Sequence, residues 1–259
     1  MMDESHYKNK TVLVTGGSRG IGRAIALHFA KLGANVILTF VRNESRAQET
    51  AAEIQELGVE VDVHQANLSK LDHINRLFEQ IQAKHDHLDF FISNAASGFN
   101  RPALQQREDG WDYTMNTNAR SFLFASQKVV PLMEAAGKGC IVAITSPGSH
   151  RVIPDYVSVG ASKAALESLT RYLAVELAPR HIRVNAVSPG IVETDALKHF
   201  AILQNPEVIT RAVENTPAGR LVTLQDVANV VAFLCSPEAE MICGQVIIVD
   251  GGYTLIMPS

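Results

Sequence analysis

The stretch Thr11-Val-Leu-Val-Thr-Gly-Gly-Ser-Arg-Gly-Ile-Gly22 decides the fold of this chain. It joins an apolar run of strand length to a glycine-rich turn, and residues 21–32 beyond the turn have helical periodicity. Glycines let the backbone turn tightly near a pyrophosphate, and free amides at the start of the helix bind its charge. The spacing Gly16-x-x-x-Gly20-x-Gly22 is a variant of the dinucleotide fingerprint G-x-G-x-x-G. The stretch therefore predicts a strand–turn–helix unit that binds a dinucleotide, against the alternative of an ordinary glycine-rich turn.

Apolar runs of strand length and helical segments alternate along the rest of the chain. Nearly continuous apolar strands are typical of a parallel sheet covered on both faces. We therefore predict a single doubly wound α/β domain over residues 1–259, with a Rossmann-type parallel sheet of about seven strands and helices on both faces. Residues 195–217 have no strand partner, which favours a lid over a substrate site. The predicted strands are residues 11–15, 36–40, 59–65, 88–92, 140–145, 182–187 and 246–249; the predicted helices are residues 21–32, 44–57, 70–85, part of 107–136, 160–178 and 224–235.

The composition is that of a globular protein with a sizeable core, since 46% of its 259 residues are hydrophobic and 19% are charged. A formal net charge of −4 gives no sign of nucleic-acid binding. No apolar run is long enough to span a bilayer, and the first residues lack an apolar signal-peptide core. The three cysteines show no metal-ligand spacing. We therefore expect a cytoplasmic protein with reduced thiols, no membrane segment and no metal site.

The end of the second predicted strand selects the cofactor. An NAD-binding protein usually has Asp or Glu there, which accepts from the adenosine ribose hydroxyls. This chain has Thr39-Phe-Val-Arg-Asn43 instead. Arg42 suits a 2′-phosphate, and Arg19 in the glycine turn could help to bind it, because a guanidinium matches phosphate geometry. The sequence predicts NADPH rather than NADH, against the alternative of two solvated arginines.

Further loops follow the carboxyl ends of strands, where ligands bind in open α/β sheets. Asn67-Leu68 is expected to face adenine, and Asn94-Ala-Ala-Ser-Gly98 to lie against the nicotinamide ribose. Asn94 has the alternative role of tying neighbouring strands together. In residues 188–194, the Ile191 backbone and the Thr194 hydroxyl are expected to hold the carboxamide. The predicted cofactor-binding residues are Gly16, Ser18, Arg19, Gly20, Ile21, Gly22, Arg42, Asn43, Asn67, Leu68, Asn94, Ala95, Ala96, Lys163, Pro189, Gly190, Ile191 and Thr194.

Tyr156 and Lys163 are the candidate catalytic pair. Six residues separate them, so a helix through both would bring the phenol and the ammonium to one face, about 10 Å apart along the axis. The Lys charge would lower the cost of forming a phenolate and make the Tyr a better proton donor. The alternative is a surface Tyr near a solvated Lys.

Together these motifs resemble the short-chain dehydrogenase/reductase family over essentially the whole chain. Most members carry Tyr-x-x-x-Lys, which would place the Tyr at Val159. The longer spacing from Tyr156 to Lys163 is instead similar to the enoyl-acyl carrier protein reductases of this family. The segments in family order are Asn94-Ala-Ala96, Asn116-Thr-Asn118, Ser146, Ser188-Pro-Gly190 and Asp250-Gly-Gly252; those most similar to the bacterial NADPH-dependent type III enzymes are Asn94-Ala-Ala-Ser-Gly98, Thr194-Asp-Ala-Leu-Lys-His-Phe200 and Asn215-Thr-Pro-Ala-Gly-Arg220.

The resemblance implies further site residues. Asn118 and Ser146 occupy positions of family catalytic residues, with a kinked helix and a strand end as their structural alternatives. Ser146 stands where the ketoreductases have their catalytic Ser. Val152 stands where the type III enzymes have a second Tyr. In the expected lid, Phe200 and Ile202 either cover an acyl chain or pack in the core.

The resemblance also implies partners: an acyl thioester, an acyl carrier protein with an acidic surface, and a homotetramer or homodimer. The carrier-protein contacts would be Lys198, Arg211 and Arg220, or these are simply solvated charges. The predicted reaction is hydride transfer from NADPH to C3 of a trans-2-enoyl thioester. The rivals are a ketoreductase or alcohol dehydrogenase of the same fold, and a non-catalytic NADP-binding sensor. A nucleic-acid-binding module would need a basic patch that the sequence lacks.

Overall fold

Seven parallel strands form one sheet in the order β3-β2-β1-β4-β5-β6-β7. The computed structural model describes residues 4–192 and 206–256. The predicted doubly wound α/β fold is confirmed, and each predicted strand is present with bounds shifted by no more than two residues. The strands are β1 Thr11–Val14, β2 Asn35–Phe40, β3 Val61–Gln65, β4 Phe90–Ser93, β5 Gly139–Ile144, β6 Ile182–Pro189 and β7 Val246–Val249.

Helices cover both faces of this sheet. The strand order reverses between β1 and β4, which is the position where ligands bind in folds of this kind. The helices are α1 Gly20–Lys31, α2 Glu44–Glu56, α3 Leu71–Gln82, α4 Glu108–Met115, α5 Ser121–Ala135, α6 Val157–Leu177, α7 Pro206–Glu214 and α8 Leu224–Cys235. None of the helices in the described ranges is long and apolar enough to cross a membrane.

The core has two layers, one on each face of the sheet. Successive side chains of β1 point to opposite faces, so Val12 and Val14 enter the layer packed by α1, α2 and α8. Leu13 enters the other layer, packed by α3, α5 and α6. Burial on both faces explains why the strands read as continuous apolar runs.

Two helices differ from the sequence prediction. Helix α6 begins at Val157, three residues before the predicted start, so Tyr156 immediately precedes it. The predicted long helix within residues 107–136 is α4 and α5 joined by a π-helical turn, Asn116–Arg120. Near this turn the Thr117 hydroxyl donates to the Tyr113 carbonyl, a bond of the kind that widens and bends helices.

The expected lid is described only in part. Residues 193–205, including Phe200 and Ile202, lie outside the described residues. Helix α7 forms the described part, as the partly helical prediction required. A parallel bridge joins Val192 to Val222, which lie on either side of the expected lid in the chain.

Candidate active site

The turn between β1 and α1 is shaped to receive a phosphate. Gly16 and Gly20 have positive φ angles of 66° and 53°, which favour glycine. A Cβ on Gly22 would lie 2.3 Å from the Gly16 carbonyl oxygen, so the backbone approaches too closely for a side chain. Within the described chain, no side chain caps the start of α1. Its first amides are therefore available to an anion, and the turn fits a dinucleotide pyrophosphate.

A cavity of about 720 Å³ runs from this turn along the carboxyl edge of the sheet. Thr39, at the end of β2, lines it and accepts through its hydroxyl oxygen from the Gly16 amide at 3.1 Å, although sequence reasoning gave Thr39 no role. Most of the predicted cofactor-binding residues line this cavity: Gly16, Ser18, Arg19, Gly20, Ile21, Gly22, Arg42, Asn43, Asn67, Leu68, Asn94, Ala95, Ala96, Lys163 and Pro189.

Three predicted residues do not line the cavity as the described residues form it. Gly190 packs against Asp250, where an added Cβ would lie 2.8 Å from the Asp250 Cβ. The Ile191 carbonyl accepts from the Val222 amide at 3.1 Å, so this carbonyl already has a partner. Thr194 lies outside the described residues. The described cavity therefore leaves out Gly190 and Ile191, and their expected role in holding the cofactor stays a prediction.

Two arginines line the cavity at the end of β2. Arg42 lies two residues beyond the end of that strand, and Arg46 lies in the first turn of α2. The Asn43 side chain accepts from the Arg46 amide at 3.1 Å and so caps α2. Sequence reasoning missed Arg46, although its spacing of four from Arg42 was a usable signal. The pair provides two guanidinium groups where an acidic residue would otherwise meet a ribose.

The loops after β3 and β4 are held by their asparagines. The side-chain oxygen of Asn67 accepts from the Ser69 backbone amide at 3.1 Å and from the Ser69 hydroxyl at 2.8 Å. The side-chain amide of Asn94 donates to the backbone carbonyls of Thr15 at 2.9 Å and Gly16 at 3.2 Å. Asn94 therefore performs the strand-tying role considered as its alternative, while Ala95 still lines the cavity.

Tyr156 lies at the start of α6 rather than within it, with φ −100° and ψ 12°. Tyr156 immediately precedes α6 and Lys163 lies within it, so the geometry considered for a helix through both residues does not apply. Both side chains nevertheless line the cavity. Burial raises the pKa of the Tyr156 phenol, and a hydrogen bond from the Ser146 hydroxyl opposes that rise.

Ser146 follows β5 and orders the turn that leads towards Tyr156. Its hydroxyl oxygen accepts from the Gly148 amide at 3.2 Å. A Cβ on Gly148 would lie 2.6 Å from the Tyr156 ring, so the absence of a side chain there lets the ring pack against the turn. Val152, farther along this connection, is 98% exposed. Ser146 and Tyr156 thus form a hydrogen-bonded pair at the cavity wall.

Lys163 lines the same cavity as this pair, and the residue is only 5% exposed. Its ammonium donates to the Ile144 carbonyl at 2.7 Å. Burial lowers the pKa of Lys163 to about 8, and the nearby carboxylate of Glu167 acts in the opposite direction. The site therefore holds a cation whose charge is sensitive to its immediate surroundings.

Asn118 lies on the π-helical turn and supports the loop after β4. Its carbonyl oxygen accepts from the Ser97 amide at 2.9 Å. Its amide donates to the Ser97 carbonyl at 2.9 Å and to the Ser162 hydroxyl at 2.8 Å. Both amide hydrogens are thus used within the protein, which supports the structural role that the kinked-helix alternative gave this residue.

Two aromatic residues that sequence reasoning did not select line the cavity near Tyr156. The rings of Phe99 and Tyr113 have centroids 6.4 Å apart, and Phe99 is 53% exposed. Phe99 belongs to the loop after β4, and that position was a usable signal. Tyr113 lies on α4, where nothing in the local sequence marks it. The two rings supply an apolar wall for a substrate.

The arrangement is that of a nucleotide-dependent oxidoreductase, with a phosphate turn at one end of the cavity and a Tyr–Lys–Ser cluster at the other. The protein-family model described as "Enoyl-(Acyl carrier protein) reductase" matches residues 16–254. The chain therefore belongs to the short-chain dehydrogenase/reductase family and is an NAD(P)-dependent reductase.

Two curated relatives cover nearly the whole chain. The 1-cyclohexenylcarbonyl-CoA reductase of Streptomyces collinus is 36% identical over 251 residues, which are 97% of this chain and 89% of the relative. The 3-oxoacyl-acyl-carrier-protein reductase FabG of Staphylococcus epidermidis is 35% identical over 244 residues, which are 94% of this chain and 98% of the relative.

Solved structures of similar sequence share the fold. A 7α-hydroxysteroid dehydrogenase, complexed with NADH and 7-oxo glycochenodeoxycholic acid, is 33% identical with a TM-score of 0.90, and the match covers 97% of this chain and 98% of that one. A short-chain dehydrogenase of Burkholderia cenocepacia, in complex with NADP, is 32% identical with a TM-score of 0.87, and the match covers 96% and 99% of the two chains.

Proposed function

We propose that this protein is an NADPH-dependent reductase of trans-2-enoyl thioesters. The observation that carries the proposal is the position of the phenol. Tyr156, the residue immediately before α6, lines the cavity together with Lys163. Val159, where Tyr-x-x-x-Lys members would carry the phenol, is 7% exposed and packs against Gly98. The reacting carbonyl must therefore meet a phenol displaced by three residues along the chain.

In this proposal Tyr156 acts on charge that develops during the reaction. A reduced nicotinamide, when bound, supplies a hydride. Reduction at C3 of an enoyl thioester places negative charge on the thioester oxygen, and Tyr156 donates a hydrogen bond to that oxygen. Lys163 favours the polarised phenol and binds the ribose hydroxyls of the cofactor. The carbon next to the carbonyl then takes up a proton, which completes the reduction.

NADPH is proposed as the cofactor because Arg42 and Arg46 both line the adenosine end of the cavity. Two guanidinium groups suit a 2′-phosphate, and residues 39–43 contain no carboxylate for the ribose hydroxyls of NADH. The relatives support the thioester class, since their names refer to a coenzyme A thioester and to acyl-carrier-protein thioesters.

Reduction of a 3-oxoacyl thioester is the second candidate. The hydrogen bond between Ser146 and Tyr156 favours it, because a serine hydroxyl beside the phenol can also donate to a ketone oxygen. In that reaction the ketone oxygen becomes an alcohol, and Tyr156 acts as its proton donor. The two candidates use the same residues on different carbonyl groups.

A direct comparison of substrates decides between them. Initial rates are measured with NADPH and crotonyl or acetoacetyl thioesters, each on coenzyme A and on acyl carrier protein. We expect kcat/KM for crotonyl thioester to exceed that for acetoacetyl thioester by at least about tenfold. Reduction of the acetoacetyl thioester alone would assign the keto reaction. Tight NADPH binding without turnover of any of the four would favour a sensor.

Few of the described residues bear on the proposed protein partners. Arg211 lies on α7, whereas the Arg220 guanidinium is bonded to the Asp226 carboxylate at 2.6 Å and so is engaged within the protein. Lys198 lies outside the described residues. A homotetramer or homodimer and a cytoplasmic location stay predictions, and light scattering of the purified protein measures the first.

A further inference from the structure

Lys163 and Glu167 lie one turn apart on the same face of α6. Each bonds to the end of β5: the Lys163 ammonium donates to the Ile144 carbonyl at 2.7 Å, and the Thr145 hydroxyl donates to the Glu167 carboxylate at 2.7 Å. Ser146 is the next residue of the chain. One face of α6 therefore holds Ile144 and Thr145, the two residues that immediately precede Ser146 in the chain.

The same spacing places a carboxylate within the field of a buried cation. Burial disfavours the charged form of Lys163, and Glu167 favours it. Of the described charged groups, Glu167 is the one that acts on this ammonium. The other titratable groups on the elements packed against α6, including those on the turn and loop after β5, are Glu108, Asp109, Asp112, Tyr113, Arg120, His150, Arg151, Asp155, Tyr156, Arg180 and Arg183.

We propose that Glu167 is a positioning residue of the active site, which acts on the buried Lys163 ammonium one helical turn away and holds the Thr145–Ser146 segment next to the Tyr156 phenol. It touches neither substrate nor cofactor in this role. Its carboxylate acts through Lys163 by charge and through Thr145 by a hydrogen bond. The inference rests on the proposed reductase only where activity is measured, since protonation of Lys163 is a property of the protein alone.

Two variants separate the two effects. Glu167→Gln removes the charge and keeps an oxygen that can accept from the Thr145 hydroxyl. Thr145→Val removes that hydroxyl and keeps the charge. Glu176→Gln removes an equivalent charge from an exposed position of the same helix and is the matched control. None of the three adds volume to the core.

The direct measurement is the titration of Lys163 by ¹³C and ¹⁵N NMR of labelled lysine side chains in the cofactor-free protein, with Lys163→Arg to assign the signal. In Glu167→Gln the midpoint should move down by about one pH unit, so that Lys163 loses charge at a lower pH. It should not move in Glu176→Gln. An unchanged midpoint in Glu167→Gln would overturn the electrostatic role.

The kinetic measurement is the pH profile of kcat. Activity that needs a charged Lys163 is present below its pKa and declines as the pH rises through it. The decline should therefore begin about one pH unit lower in Glu167→Gln than in Glu176→Gln. Thr145→Val should lower kcat at all pH values without moving the decline. Equal loss of activity at every pH in Glu167→Gln would mean a merely structural role.

Failure of this inference differs from failure of the proposed function. If the unaltered protein reduces neither enoyl nor keto thioesters, the proposed function is wrong, and the NMR titration still decides the role of Glu167. If turnover is observed and the Lys163 midpoint does not respond to Glu167→Gln, this inference is wrong and the proposed function stands.

Discussion

At the scale of single residues, the two ends of the cavity differ in how far their positive charges are exposed to solvent. At the end of the cavity proposed for adenosine, Arg42 lies just before α2 and Arg46 lies on α2. Lys163 is buried and lies near a compensating carboxylate at the other end. Exposed charges choose a ligand without much cost to stability, whereas a buried charge carries a penalty that the fold must offset.

The first residue-scale prediction concerns the choice of cofactor. Arg42→Ala should raise the Kd for NADPH by about tenfold or more, because a charge-assisted bond to a 2′-phosphate is lost. The Kd for NADH should change little. Both are measured by titration of nicotinamide fluorescence, with Arg76→Ala on α3 as the control. An equal loss for both cofactors would remove Arg42 from the role of selecting NADPH.

The second concerns the phenol. Tyr156→Phe should lower kcat by about a hundredfold or more, because hydrogen bonding to the developing charge is lost. The Kd for NADPH should stay nearly constant. Tyr172→Phe removes the hydroxyl of an exposed phenol on α6 and should have normal kinetics. A Tyr156→Phe variant with normal kcat would show that another group serves the reacting oxygen.

The third concerns the stability cost of Lys163. Its folded pKa of about 8 is below the ordinary value of 10.5, so the protonated form is penalised on folding. That penalty is fully present below about pH 8 and disappears as the pH rises to about 10.5, so wild-type stability should gain about 3 kcal/mol over this interval. Lys163→Met should lack this gain. Urea unfolding of both proteins across the interval measures it; parallel curves would contradict it.

Sequence reasoning found most of these residues because phosphate turns and strand ends follow local patterns. The glycine turn and Arg42 are examples, since each lies at a predictable distance from a strand. Tyr113 and Glu167 were not selected. Their roles depend on which helix face meets the cavity or the end of β5, and that is set by tertiary packing rather than by local sequence.

At the scale of elements, the connection between β5 and α6 determines where the phenol lies. It contains the short 3-10 turn Pro147–Ser149, and Asp155 has a positive φ of 61°, in the left-handed region. This backbone turn lets Tyr156 face the cavity one residue before α6 begins. The helix itself was predictable, but its start was not, because the small and polar residues near Gly160 resemble a loop–helix boundary.

The element-scale prediction concerns Gly148. Gly148→Ala should lower kcat, because the added Cβ would lie 2.6 Å from the Tyr156 ring and must displace it. We expect about a tenfold loss with little change in the Kd for NADPH. Ser149→Ala on the same turn is the control. Normal kcat in Gly148→Ala would show that the ring can move without consequence.

The junction of α4 and α5 could not be predicted in detail. Helical periodicity covers residues 107–136, and the π-helical turn Asn116–Arg120 interrupts it without a Gly or Pro. Beside the local bond from Thr117 to Tyr113, tertiary bonds hold this turn, because the Asn118 side chain bonds to the loop after β4 and to α6. Such bonds are invisible to a single-helix pattern.

At the scale of the whole molecule, the cavity at the carboxyl edge of the sheet is separate from the aromatic packing around the N-terminal segment. The cavity lies along the carboxyl edge. Elsewhere a buried aromatic cluster ties the N-terminal segment to the core: the Tyr7 ring packs against Phe29 and Phe90, and its hydroxyl donates to the Ala232 carbonyl at 2.8 Å. Stability and ligand binding should therefore respond to different substitutions.

Tyr7 tests that separation. Tyr7→Ala should lower the free energy of unfolding by about 3–5 kcal/mol, and Tyr7→Phe by about 1 kcal/mol, because only the former leaves a large cavity. The Kd for NADPH, measured well below the unfolding temperature, should be unchanged in both. Weakened cofactor binding in folded Tyr7→Phe would show that the two regions are coupled.

The packing of Val159 against Gly98 constrains the loop after β4. A Cβ on Gly98 would lie only 2.1 Å from a Val159 methyl group, so the space between α6 and the loop after β4 is already full. Any side chain larger than a hydrogen atom at position 98 would have to displace Val159 or the loop itself. Ser97 and Phe99, on either side of Gly98, line the cavity, so this contact links the shape of the cavity wall to the first turn of α6.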